Sequence, residues 1–148
     1  MSARLRPLFD GMPTPVECLA ILTGLAEVTV FGLGAFANTI EYAKGYGLPS
    51  NTDDEKDQQT PKEKALVSAV AARNLQHGVL VLALACYARD RRALGLAFAT
   101  GLVTSAADII TVRTYGVQDL IWGHVFGALN FAGLAAGLLY WQATDPWW

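Results

Sequence analysis

Five side chains able to give, take or stabilise a proton lie where the surrounding sequence is apolar: Glu27, Arg73, His77, Asp108 and His124. Amides accompany them at Asn38, Asn74, Gln76 and Asn130, residue types that orient water or a substrate oxygen. A charged residue at the centre of a bilayer costs at least ~2.5 to 3.5 kcal/mol on insertion scales, so each of these needs a reason to be there. A carboxylate held by arginine stays ionised and a desolvated carboxyl stays protonated, which together make a general base and a general acid.

Other chemistries lack their residues. There is no G-x-S-x-G, no H-E-x-x-H and no glycine-rich phosphate loop. Cys18 and Cys86 lack metal-ligand spacing and read as small packing residues, so neither a metal nor a cofactor is expected. What remains is acid and base catalysis on a lipophilic molecule, with epoxide opening, double-bond isomerisation and ring closure as the reactions such a set serves.

The elements that must position these groups are set by composition. The chain has 148 residues, 53% of them hydrophobic and 16% charged, which predicts one domain and excludes a disordered chain. Its apolar residues pool into four stretches, 16–38, 65–88, 93–112 and 120–141, each near the ~20 residues that cross a bilayer. The expected fold is all-α, an integral membrane antiparallel four-helix bundle covering 1–148. A net charge of -2 offers nucleic acid no basic face. The first apolar run exceeds the length of a secretory signal and no convincing A-x-A cleavage site follows it, so it reads as a retained span.

Helix boundaries are legible. Thr14-Pro15-Val16-Glu17 and Thr60-Pro61-Lys62-Glu63 are capping boxes with proline at the first helical position. Asp90 and Asp119 read as caps of the third and fourth helices. Residues 44–64, with Gly45, Gly47, Pro49 and the acidic run Asp53-Asp54-Glu55-Lys56-Asp57, read as a long polar loop. Gly123 and Gly127 form a G-x-x-x-G in the fourth helix, and Gly95 and Gly101 keep the third slim, both favouring close helix contact and leaving a homodimer open.

Four spans put both termini on one side. Arg4, Arg6, Arg89, Arg91 and Arg92 lie there, against Lys44, Lys56, Lys62, Lys64 and Arg113 on the side of the long loop. The count ties, but the first group sits in short segments close to the spans, which favours cytosolic termini. Tyr42, Tyr46, Tyr115 and Trp122 are expected as an interfacial belt on the loop side, with Tyr87, Tyr140, Trp141, Trp147 and Trp148 opposite.

This topology gathers Asn38, Arg73, His77, Asp108 and His124 in the half of the bundle nearest the long loop, with Glu27 and Asn130 deeper. On α-helical spacing Glu27, Phe31, Gly34, Asn38 and Glu41 share a face, as do Thr104, Asp108 and Thr111. The set predicts a polar pocket open toward the loop side and closed by apolar residues beneath. The plainer reading is a buried Arg73–Asp108 ion pair that fixes helix register, with His77, Asn74 and His124 completing its hydrogen bonds.

Gly24-Leu25 and Phe31-Gly32-Leu33-Gly34, then Ala72-Arg73-Asn74 with His77-Gly78, Ala107-Asp108, His124 and Gly127-Ala128, together give a pattern that resembles a family of small fungal four-helix membrane proteins. Some of that family are encoded beside polyketide or terpenoid pathways. The resemblance implies an enzyme of secondary metabolism that acts after a monooxygenase on an epoxidised, membrane-dissolved intermediate. The expected activity is thus a cofactor-independent epoxide hydrolase or epoxide-opening cyclase of the endoplasmic reticulum membrane. Asp108 would be the base, oriented by Arg73; Glu27 or His77 would donate the proton; His124, Asn38, Asn74, Asn130 and Trp122 would position water and substrate. Two other readings stay open: a small proton-coupled multidrug transporter working through Glu27, which such short four-helix chains also look similar to, and a noncatalytic membrane partner of a pathway enzyme.

Overall fold

A computed structural model describes residues 13–48 and 59–141. Arg4, Arg6, the acidic run from Asp53 to Asp57, Trp147 and Trp148 lie outside the described residues. Among the described residues the chain is helical, with no strand. We number the helices α1 (Pro15–Ala37), α2 (Thr39–Tyr46), α3 (Pro61–Ala88), α4 (Arg91–Tyr115) and α5 (Ile121–Tyr140), the last preceded by a 3-10 turn over Gln118–Leu120. All but α2 are long and apolar enough to cross a membrane, the fourth span counted from Gln118. Leu22, Val103, Ile110, Phe126 and Leu129 are each more than half exposed. A water-soluble domain rarely leaves so much apolar surface uncovered, and lipid is the solvent that suits it.

Both capping boxes form. The Thr14 backbone N–H donates to Glu17 at 2.7 Å and Thr60 does the same to Glu63 at 2.7 Å, while each threonine hydroxyl accepts in return. Asp90 caps α4 through the Ala93 N–H at 2.9 Å. Asp119 is a correction: it lies inside the 3-10 turn, and α5 begins after Leu120 with no side-chain cap. That turn is fixed from outside instead, by the Val117 N–H donating to the Gly47 carbonyl at 2.9 Å.

Helix α1 departs from α-helical geometry. From Glu27 to Gly34 it widens into a π-helix, a rare form whose turns hold more residues than an α-helical turn. Asn38 then breaks the helix at φ -142°, ψ 85°, and its side chain caps α2 by accepting from the Glu41 N–H at 3.2 Å. Helix α2 ends at Gly47, whose φ of 95° suits glycine. The polar connection expected from residue 44 thus starts only after a further helix.

The core lies at the end away from α2, where Ala20, Val81, Ala85, Leu94, Phe98, Leu134, Ala135 and Leu138 bury against one another and draw on all four long helices. There Arg91 bridges three helices. It pairs with the buried Glu17 of α1 at 3.7 Å and donates to the carbonyls of Gly137, Leu138 and Trp141 at the end of α5. Toward α2 the π-helical part of α1 stays packed on α3 and α4 stays packed on α5.

Glycines permit the tightest approaches. A Cβ on Gly95 would stand 2.8 Å from Leu139, and one on Gly78 would stand 2.8 Å from both the Glu27 Cβ and the Gly24 carbonyl. Gly123 and Gly127 differ from expectation, since an added Cβ at either meets nothing within 4 Å. Within this chain the G-x-x-x-G is not a packing surface. Gly78→Val should therefore destabilise the protein by roughly 1–3 kcal/mol through overpacking, whereas Gly127→Ala should shift the thermal midpoint in detergent little; equal shifts would contradict the packing described.

Candidate functional site

A cavity of about 790 Å³ opens between the α1–α3 and α4–α5 pairs on the side where α2 crosses. Its walls are apolar at Ala26, Val30, Leu80, Leu120 and Phe131, and its polar groups come from every helix. Glu27, Arg73, Asn74, His77, Asp108, His124 and Asn130 all line it.

Arg73 reaches from α3 to α4. Its Nη1 and Nη2 donate to the two oxygens of Asp108, each at 2.9 Å, a bidentate geometry that fixes both planes. The same guanidinium donates to Asn74 Oδ1 at 3.2 Å and 3.4 Å. Asn74 in turn donates from Nδ2 to the Tyr42 hydroxyl at 2.9 Å.

One turn along α3, His77 meets Glu27 on α1. Its Nδ1 lies 2.8 Å and 3.0 Å from the carboxylate oxygens, and its Nε2 lies 3.2 Å from the Ala97 carbonyl. A carbonyl only accepts, so Nε2 carries a hydrogen. The remaining site between Nδ1 and Glu27 then shares a single proton, whichever partner holds it. Phe131 stacks on the imidazole and Phe98 meets it edge-on, so the His77 side of the pair is packed in aromatic surface. Glu27, which the sequence left without a partner, therefore has one.

His124 donates from Nε2 to the Tyr46 carbonyl at 2.8 Å and packs edge to face on the Tyr46 ring at 4.6 Å. Asn130 donates to the Thr23 hydroxyl at 3.2 Å, which ties α5 to α1 at mid-depth. The ion-pair reading expected His77 and His124 to serve Arg73–Asp108; of the three residues named for that task only Asn74 does.

Asn38 and Trp122 are not among the cavity-lining residues. Asn38 is spent on capping α2, and Trp122 is 63% exposed on the outer face of α5. The face drawn through Glu27, Phe31, Gly34, Asn38 and Glu41 is likewise only partly realised, because the π-helical turns rotate the residues after Phe31: Glu27, Phe31 and Glu41 line the cavity, while Gly34 and Asn38 do not. Thr104 and Asp108 face it and Thr111 does not, its hydroxyl donating instead to the Ala107 carbonyl.

Tyr42 and Tyr46, expected in an interfacial belt on the loop side, both line the cavity. Burial raises the pKa of Tyr42, with Asp108 adding to the rise and Arg73 and the Asn74 hydrogen bond opposing it. Burial also pushes Tyr46 well above the ordinary phenol range, and the adjoining Asp108 carboxylate pushes in the same direction. Both phenols thus keep their protons at neutral pH. The sequence does signal the helix, since Asn38 three residues before Glu41 is a helix start that places Tyr42 and Tyr46 one turn apart, but not where that helix docks.

Residues 26–138 match a family described as a domain of unknown function, DUF4267. The chain belongs to that family. The matched segment begins one residue before Glu27 and contains every charged residue of the cavity. No curated protein and no solved structure matches the DUF4267 chain.

The pairing of Arg73 with Asp108 has a measurable consequence. Arg73→Leu or Asp108→Leu alone leaves one partly enclosed charge uncompensated and should cost on the order of 1–3 kcal/mol, discounted for the partial exposure of both side chains. The double variant should recover most of that loss in detergent melting curves. A double variant no more stable than the worse single one would show that the pair is not the unit.

Proposed function

We propose that this DUF4267 protein is a membrane enzyme that opens an epoxide of a lipophilic polyketide or terpenoid intermediate, as a hydrolase or as a cyclase, without a cofactor. The four spans are read as an antiparallel bundle in the endoplasmic reticulum membrane, with cytosolic termini. The observation that carries the reading is the cavity chemistry: a carboxyl group held through both oxygens by arginine and a one-proton Glu27–His77 pair face the same cavity.

Those two pairs supply complementary halves of one reaction. The Asp108 carboxylate accepts a proton from water, or from a hydroxyl of the substrate, as that oxygen attacks an epoxide carbon. The carbon–oxygen bond of the ring breaks, and its electron pair goes to the ring oxygen. That oxygen takes the proton shared by Glu27 and His77, and the proton on Asp108 then returns to the pair through water. Arg73 holds Asp108 in position through both of its oxygens. The apolar walls at Ala26, Val30, Leu80 and Phe131 favour a lipophilic substrate, which displaces bulk water from these groups when it fills the cavity.

Proton-coupled transport finds less support. A transport carboxylate must be free to exchange a proton for its cargo, whereas Glu27 is only 8% exposed and closed onto His77 of the same chain.

The test is conversion of a panel of polyene and terpenoid epoxides in oxygen-18 water by the protein in lipid vesicles. Label in a diol identifies hydrolysis, and an unlabelled isomer identifies internal opening. Asp108→Asn should lower turnover at least ~100-fold while the protein still inserts and folds, with a melting point lowered by the loss of the Arg73 partner but still above the assay temperature. Full turnover by Asp108→Asn would remove Asp108 from the role of base, and a wild-type protein inert across the panel would argue against the epoxide reading.

A further inference from the structure

Six hydroxyls line the cavity, on Thr23, Tyr42, Tyr46, Thr100, Thr104 and Ser105. Four spend their hydrogens on the helix backbone: Thr23 on Leu19 at 2.9 Å, Thr100 on Ala97 at 2.9 Å, and Thr104 and Ser105 on Gly101 at 2.7 Å and 3.2 Å. Tyr46 stands beside the Asp108 carboxylate, an acceptor for its own. Tyr42 is different, because a chain of hydrogen bonds fixes which way its hydroxyl works.

That chain starts at the guanidinium. Arg73 offers only donors, so Asn74 must turn Oδ1 toward it and Nδ2 away. Nδ2 then donates to Tyr42, whose oxygen is the acceptor at 2.9 Å. The Tyr42 hydrogen is left over, and no acceptor among the described residues takes it. Each donor in such a chain polarises the next, so the terminal O–H is a stronger donor than an isolated phenol. It belongs to a residue that lines the cavity, on a helix anchored there by the His124–Tyr46 and Val117–Gly47 hydrogen bonds.

The charge balance of the cavity narrows what this donor meets. Arg73 and Asp108 cancel, the exposed Glu41 pairs with Lys44 at 3.5 Å, and the proton shared by Glu27 and His77 leaves that pair neutral as well. An ion entering would have no countercharge and would lose its hydration, whereas an uncharged oxygen needs only a donor.

We propose that Tyr42 is a substrate-binding residue whose hydroxyl donates to the uncharged oxygen of a lipophilic ligand, an epoxide, ketone, ester or ether, with the rest of the ligand lying along Val30, Leu80 and Phe131. This names the ligand class of the site and rests on the cavity being the substrate site proposed for the epoxide chemistry. The high phenol pKa agrees with it, because the donor stays protonated across the physiological range.

An unreactive pair of probes separates binding from turnover. The wild-type protein in lipid nanodiscs is titrated calorimetrically with 2-undecanone and with undecane, empty nanodiscs serving as the blank. The ketone should bind the protein more tightly than the alkane. Tyr42→Phe should weaken the ketone about three- to tenfold, the worth of one neutral hydrogen bond, and leave the alkane unchanged. Asn74→Leu, which keeps the phenol but removes its polarising partner, should give a smaller loss of the same kind. The proposal is overturned if wild-type protein does not prefer the ketone, if Tyr42→Phe leaves both ligands unchanged, or if it weakens both in proportion, as a packing defect would. Ketone preference that depends on Tyr42 in a protein inert toward every epoxide would keep the donor site and discard the epoxide chemistry.

Discussion

Arg73 cannot lie in an apolar span without a partner, and the arrangement of the cavity depends on how that partner is supplied. Asp108 crosses from the neighbouring helix to accept two parallel hydrogen bonds, which neutralises both charges and fixes the rotation of α3 against α4. A bidentate pair leaves the guanidinium one edge to spare, and Asn74 occupies it. From that contact the orientation of Asn74, and then of Tyr42, is determined. A charge that costs stability on entering the bilayer thus becomes the origin of a directed set of hydrogen bonds.

The second pair works by enclosure. Glu27 and His77 sit deeper, the imidazole against two aromatic rings and the glutamate against a Gly78 that has no room for a side chain. Glycine at that position lets α1 and α3 approach closely enough for the carboxylate to reach the imidazole. The π-helical turns of α1 begin at Glu27 itself, consistent with the tendency of such irregularities to accompany functional groups. At the far end Arg91 does the opposite work, joining the starts of α1 and α4 to the last carbonyls of α5 beneath the cavity. One end is therefore tied by a cation on main-chain oxygens and filled with aliphatic side chains, while the other stays open and polar.

Much of this was legible from residue types alone. Apolar stretches of bilayer length located the four long helices, and Thr-Pro-x-Glu at two places located two of their starts, because capping depends on a few consecutive residues. Helical spacing brought Arg73 and His77 to one face, and the pairing of Arg73 with Asp108 came from the cost of leaving either alone in an apolar span. These are local or chargewise constraints, and a sequence states them directly.

What the sequence could not determine depends on contacts between distant segments. Glu27 looked solitary because its partner lies fifty residues away and is reached only when Gly78 lets two helices meet. Asn38 leaves the expected face because α-helical spacing does not hold through a stretch that winds as a π-helix and then breaks, whereas the outward direction of Trp122 is set by how α5 packs on its neighbours. Tyr42 and Tyr46 passed for interfacial aromatics because nothing short-range says that α2 folds back over the cavity mouth; the Gly47–Val117 and Tyr46–His124 hydrogen bonds that hold it there join residues 70 or more apart. The sequence by itself determined which groups must be paired and which stretches are helical, since solvation and capping act on single residues and their neighbours. Only tertiary packing decided which partner each group received, because that is set by the approach and rotation of whole helices.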